Sequence, residues 1–192
     1  MSQTYFTADL HLAHKNIIAL CGRPFSDVAH MGRSFLETFN TLVTPKDRLI
    51  ILGDLGFGPP ELLAEWLDGL RCKNIAAVFG NHDTTAERLA QKEPKRFLWT
   101  GKLVETKIDG IDVSLCHYAM RVWRKSHYGA YHLYGHSHGN LPDDPHALSM
   151  DVGVDCHNFT PISFAQIKAR MAQKTWQPID HPTATKSPVV VP

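Results

Sequence analysis

What most restricts the fold of this chain is a recurrence: short, mostly apolar runs that end in glycines and in metal-ligand side chains. Tyr5-Phe6-Thr7-Ala8 leads to Asp9 and His11, Leu49-Ile50-Ile51-Leu52 to Gly53-Asp54, and Ile75-Ala76-Ala77-Val78-Phe79 to Gly80-Asn81-His82-Asp83. Later, Ile111 to Cys116 leads to His117, and Tyr131-His132-Leu133-Tyr134 to Gly135-His136-Ser137-His138-Gly139. Short apolar runs bounded by turn residues predict buried strands, and strands that all end in oxygen or nitrogen donors gather those donors along one rim of a sheet. The period of two puts Asp9 and His11 on one side, and the flanking glycines free His136 and His138 to point into one cavity.

Between these runs the spacing changes to helical. Ser26 predicts an N-cap for a helix carrying Val28, Met31, Phe35, Phe39 and Leu42, ended by Pro45. Pro59-Pro60 predict the start of a second, with Leu62, Leu63, Trp66, Leu67 and Leu70 and a stop near Gly69, and Thr84 or Thr85 predicts the cap of a third. Past Pro94, Asp109-Gly110 between two strand-like runs predicts a type I′ hairpin, in which both central residues need positive φ. A strand over 149–154 and a helix from Ser163 to about Gln173 complete the pattern. At 192 residues and 43% hydrophobic content, the chain predicts one domain over 1–176, then a proline-rich, unstructured tail over 177–192.

A formal net charge of +1 supplies no basic face, so no stable complex with long nucleic acid is expected. The four cysteines stand far apart, and the start of the chain shows neither a signal region nor a membrane span, which together predict a cytoplasmic protein with reduced thiols. Asp, His, Asn and His donors without cysteine suit Mn²⁺, with Fe or Zn²⁺ as alternatives, better than Ca²⁺ or a thiolate zinc site. Asp9, His11, Asp54, Asn81, His117, His136 and His138 are too many ligands for one small ion. Two divalent ions about 3.5–4 Å apart would use them and hold a hydroxide for in-line attack on phosphorus.

These residues resemble the calcineurin-like metallophosphoesterases, whose D-x-H, G-D, G-N-H-D, lone His and G-H-x-H motifs appear in order at Asp9/His11, Gly53-Asp54, Gly80 to Asp83, His117 and Gly135 to His138. The resemblance implies an α/β fold, a mixed β-sandwich flanked by helices in four αββα layers. It implies Asp9, His11, Asp54 and His138 on one metal, and Asp54, Asn81, His117 and His136 on the other, with Asp54 as the bridge. His82 is then not a ligand but the general acid facing the scissile ester, or a group that contacts a phosphoryl oxygen without transferring a proton; Asp83 either orients its ring or serves the following helix N-terminus.

The arginine that follows G-D in protein serine/threonine phosphatases is replaced here by Leu55-Gly56-Phe57-Gly58-Pro59, which favours phosphodiesters over monoesters. Asp9 to Asn16, Cys21 to Phe25, Ser126 to Gly129 and Asp151 to Asp155 look like the small, cap-less phage and bacterial phosphoesterases, some of which hydrolyse 2′,3′-cyclic nucleotides. The expected partner is therefore a small phosphoester, with a nucleotide leading. A phosphomonoesterase or nuclease of the same fold and a non-catalytic scaffold are the alternatives, and the sequence leaves the oligomeric state open. Candidate substrate contacts are Asn81, Arg121, Trp123 and His127, cations and an aromatic face suited to phosphate and base. His14, Asn16 and Arg23 join them; the open alternatives are a solvated loop whose Trp123 covers the core for the residues between His117 and His136, a cap for Asn16 and a surface ion pair for Arg23.

Overall fold

The computed structural model describes residues 2–180. In chain order the strands are β1 (Thr4–Thr7), β2 (Arg48–Leu52), β3 (Ile75–Val78), β4 (Thr100–Gly101), β5 (Leu103–Ile108), β6 (Ile111–Cys116), β7 (Tyr131–Tyr134), β8 (Ser149–Asp151) and β9 (Ile162–Ser163). The helices are α1 (Lys15–Leu20), α2 (Val28–Leu42), α3 (Pro60–Gly69), α4 (Thr84–Lys92) and α5 (Phe164–Met171). Two mixed sheets result, ordered β4-β3-β2-β1-β9 and β5-β6-β7-β8. The parallel β1, β2 and β3 arise because a helix intervenes at each crossover.

The continuous apolar runs are buried on both sides, and alternate residues serve different layers. Leu49, Ile51, Ile75 and Ala77 pack under α2, α3 and α4 with Met31, Phe35, Phe39, Trp66 and Leu89. Ile50, Leu52, Ala76 and Val78 face the second sheet, meeting Val113, Leu115, Leu133 and Met150. The closing helix α5 adds Phe164, Ile167 and Met171 to that inter-sheet core. Over the outer face of β6 and β7 lies the segment 118–130 with one 3₁₀ turn, where the Trp123 ring packs 5.3 Å from His132.

Local chemistry explains where the elements begin and end. Asp27, one residue past the expected Ser26, caps α2: its extended φ of −163° lets the carboxylate accept from the His30 N–H at 2.7 Å, while Ser26 Oγ bonds that same carboxylate. Ser163 and Gln166 form a full capping box on α5. Asp109 and Gly110, at φ 49° and 83°, make the β5–β6 hairpin. The strand expected over 149–154 stops at Asp151 because the chain then leaves the second sheet for the first: Val152 N still donates to Tyr134 O, but Gly153 bridges Ala8 and Val154 N donates to Ala8 O.

Of the segment expected to lack structure, 177–180 runs back over the domain. Gln177 N donates to His146 O at 2.9 Å and Ser126 Oγ to Asp180 at 2.7 Å. Residues 181–192 lie outside the described part of the chain. No described helix is long and apolar enough to cross a membrane.

Candidate metal centre

The ladder between β1 and β2 continues past the strands, with Asp9 N donating to Gly53 O at 3.0 Å and His11 N to Asp54 O at 2.8 Å. It seats Asp9 and His11 beside Asp54. In the second sheet Gly135 N donates to His117 O at 3.0 Å, and both Asp9 oxygens accept from His136 N at 3.0 Å, so one carboxylate joins the rims of the two sheets. Room for this is made by missing side chains: a Cβ at Gly80 would collide with Asp54 Oδ1, and one at Gly135 would stand 2.8 Å from Asp9 Oδ2.

Among the described residues, ten non-glycine residues have positive φ, and five of them are Asp9 (60°), His11 (50°), Asp54 (55°), His136 (71°) and His138 (48°). Backbone held there costs on the order of 1–3 kcal/mol per residue and persists only where the surroundings over-determine it. Its concentration in these five residues marks the rim as a site rather than a surface.

Asp54 Oδ2 lies 3.4 Å from His11 Nε2 and 3.5 Å from His117 Nε2. Asn81 Oδ1 lies 3.1 Å from both His117 Nε2 and His136 Nδ1. Because the Leu52 carbonyl can only accept, His117 Nδ1 donates to it at 2.8 Å, so that in the neutral ring the lone pair is on Nε2, the nitrogen that faces Asp54 and Asn81. Among the described residues, three groups have ligand atoms mutually within 4.8 Å: Asp9 with His11 and His138, Asp9 with Asp54 and His117, and Cys21 with His138 and Asp155.

Electrostatics follow from burial. Burial pushes the Asp9 carboxyl up to about 7, against the pull of His117 and His138. Burial likewise drives His11 down to about 3, with Asp54 opposing. Burial works against the charged form of His117, but the Asp54 carboxylate, the Leu52 carbonyl and Asp9 outweigh it and raise this ring to about 8. Burial also opposes ionisation of Asp54, yet His117, the His82 N–H and His11 hold its carboxyl below the ordinary value.

A divalent cation fits these residues. His11 is 2% exposed and neither of its ring nitrogens has a hydrogen-bond partner, which is costly for a buried polar group. Two fully buried carboxylates stand beside it, and a cation relieves both penalties at once. The donor set is oxygen and imidazole nitrogen, the preference of first-row transition ions.

Among the other expected site residues, His82 stands at the rim. Its N–H donates to Asp54 Oδ1 at 3.0 Å and its exposed ring lies 5.7 Å from that of His11. Asp83 makes no bond to that ring; it is the N-cap residue of α4 by position, but its side chain makes no cap bond, being 1% exposed with its carboxylate accepting the N–H groups of Asp54, Leu55 and Gly80, each at 2.7 Å. His14, the N-cap residue of α1, packs its ring 4.4 Å from Phe57 at the rim, whereas Asn16 is exposed inside α1 and caps nothing.

Two expected substrate contacts, Arg23 and Trp123, are corrected. Arg23 is neither a phosphate contact nor a surface ion pair: its side chain is fully buried and bonded to Asp155. Trp123 is 8% exposed, with its indole N–H donating to Ala130 O, so it is covered by its own loop. His127 pairs with Asp180 at 3.3 Å. Arg121, exposed, lines a cavity with Trp176 and Asp180 to which none of the seven ligand candidates contributes. The spacing passed over two aromatic residues at the rim: Tyr118, 46% exposed with its ring 4.8 Å from His136, and Phe57, 5.4 Å from His82. Adjacency to His117 and to the Gly53-Asp54 turn was the available signal for both.

No protein-family model matches the chain. The uncharacterized protein MJ1445 of Methanocaldococcus jannaschii is 29% identical over 173 residues, spanning 85% of this chain and 88% of that protein. Among solved structures, the protein of unknown function AQ665 from Aquifex aeolicus superposes with a TM-score of 0.67 at 20% identity, covering 88% of this chain and 100% of that one, so the two share a fold. A novel archaeal phosphodiesterase superposes more loosely, with a TM-score of 0.47 at 16% identity over 79% of this chain and 82% of its own.

Proposed function

We propose that the protein is a dimetal phosphoesterase that hydrolyses small phosphodiesters, with 2′,3′-cyclic nucleotides as the leading substrates. The observation that carries this reading is the buried Asp54 Oδ2 between the rings of His11 and His117, at 3.4 and 3.5 Å, inside an oxygen and imidazole donor set. Asp9, His11, Asp54 and His138 would hold one ion, and Asp54, Asn81, His117 and His136 the other. When bound, the ions supply Lewis acidity and neutralise charge at phosphorus.

The chain's own groups do the rest. Asp83 holds the Gly53-Asp54 and Gly80-Asn81 turns together, fixing the ligands they carry. The exposed His82 ring offers a proton to the leaving alkoxide, the group that gains most from it. Tyr118 presents an exposed aromatic face beside His136 on which a base can stack. The test is purified protein with Mn²⁺ assayed against cyclic nucleotides, linear diesters and monoesters. Diester turnover lost on chelation and restored by Mn²⁺ is expected; a nitrophenyl monoester preferred over the matching diester would replace this reading with a phosphatase.

A further inference from the structure

We propose that Arg23 and Asp155 are positioning residues that set the tautomer of His138 and fix the Asp9–Leu10 backbone, so that Asp9, His11 and His138 form a cation half-site before any cation arrives. The half-site belongs to the metal-dependent reading above; the tautomer does not depend on it.

Three separate segments meet at the guanidinium. Arg23 follows α1, Asp155 lies in the 3₁₀ turn Val154–Cys156, and Asp9 and Leu10 form the tip of β1. Arg23 Nε donates to Asp155 Oδ1 at 2.8 Å and Nη2 to Asp155 Oδ2 at 2.7 Å, a two-pronged pairing. Nη2 also donates to Asp9 O at 2.7 Å, and Nη1 to Leu10 O at 3.0 Å and toward Met31 Sδ at 3.4 Å. A guanidinium has five N–H donors, and each is used here.

A buried ion pair of this kind adds little stability over an apolar replacement, because desolvating two charges offsets their attraction. What it adds is geometry. The two carbonyls that Arg23 grips flank the turn in which Asp9 and His11 hold φ of 60° and 50°, a conformation that must be imposed from outside. Asp155 Oδ2 then lies 2.7 Å from His138 Nδ1. An ionised carboxylate only accepts, so His138 must donate from Nδ1, and the lone pair is left on Nε2; His138 also offers one ligand atom to a group with Asp9 and His11. A lysine in place of Arg23 could not serve both carboxylate oxygens and both carbonyls.

Histidine tautomers are read by long-range ¹H–¹⁵N correlation in chelator-treated protein, at an alkaline pH where the imidazole signals no longer shift with pH. The native protein should show His138 with its proton on Nδ1. In Asp155→Ala that single tautomer should be lost, and one of two Mn²⁺ ions should bind about 10–100-fold more weakly by calorimetry while the other is unchanged. Arg23→Lys should act in the same direction, and it decides the matter with the native spectrum if Asp155→Ala does not fold. A native His138 protonated on Nε2, or a folded Asp155→Ala that keeps the Nδ1 tautomer and both affinities, would overturn the proposal. If the native protein binds no Mn²⁺, the dimetal reading fails on its own; the spectra still decide whether Asp155 sets the ring.

Discussion

Removing the Asp83 carboxylate should loosen two ligand-bearing turns at once. In Asp83→Ala the N–H groups of Asp54, Leu55 and Gly80 lose their acceptor in a place that is 1% exposed. Each buried donor left unpaired costs about 1–3 kcal/mol. Part of that is recovered, because burial raises the Asp83 pKa against the pull of those same N–H groups, which means that the ionised carboxylate is itself partly uncompensated. Local relaxation recovers more, leaving about 3–5 kcal/mol, the scale of a broken buried charge interaction. Asp83→Asn should cost less, about 1–3 kcal/mol: its amide oxygen in the Oδ2 position still accepts from Asp54 and Gly80, and only the Leu55 bond is lost. Urea unfolding of chelator-treated protein separates the two variants. If both unfold within about 0.5 kcal/mol of the native protein, the range of an unremarkable surface change, while turnover collapses, Asp83 acts through His82 and the anchoring account is wrong.

The strand tips were legible because two signals agree there: apolar runs long enough only for buried strands, and glycines where a Cβ would strike a candidate ligand, Asp54 at Gly80 and Asp9 at Gly135. The hairpin at Asp109-Gly110 was legible for the same reason, since local chemistry determines it. What could not be read was the direction of long or polar side chains outside the strands. Arg23 turns inward because Asp155, 132 residues away in sequence, waits behind the β1 tip. Asp83 serves the β2 turn rather than its neighbour His82, a choice made by the parallel pairing of β2 with β3. Trp123 is drawn under its loop by its own indole bond to Ala130. The β8 boundary depended on a change of sheet, visible only in the bridge from Gly153 to Ala8.

His82→Ala should slow hydrolysis of a 2′,3′-cyclic nucleotide by about 10²–10⁴-fold but an activated nitrophenyl diester far less, at unchanged metal content. Equal losses on both substrates would assign His82 to phosphoryl-oxygen binding. The pH dependence of stability should have opposite slopes with and without cation. In metal-free protein, His117 is raised from 6.5 to about 8, so its contribution is complete below pH 6.5 and is lost as the pH rises through 8. Asp9, raised from 3.8 to about 7, acts in the same sense at lower pH: its ionisation disfavours the fold progressively as the pH rises from about 3.8 to 7, and the loss is complete above that. His11, lowered to about 3, is neutral in both states above its unfolded value of 6.5 and adds little slope there. Chelator-treated protein should therefore lose on the order of 2 kcal/mol from His117 alone between pH 6.5 and 8.5. With saturating Mn²⁺ the sign reverses, because the cation binds the ionised carboxylate and neutral imidazoles and must displace their protons at the lower pH. Denaturation midpoints that rise with pH in the chelated protein would show that Asp9 and His117 are not the groups that titrate.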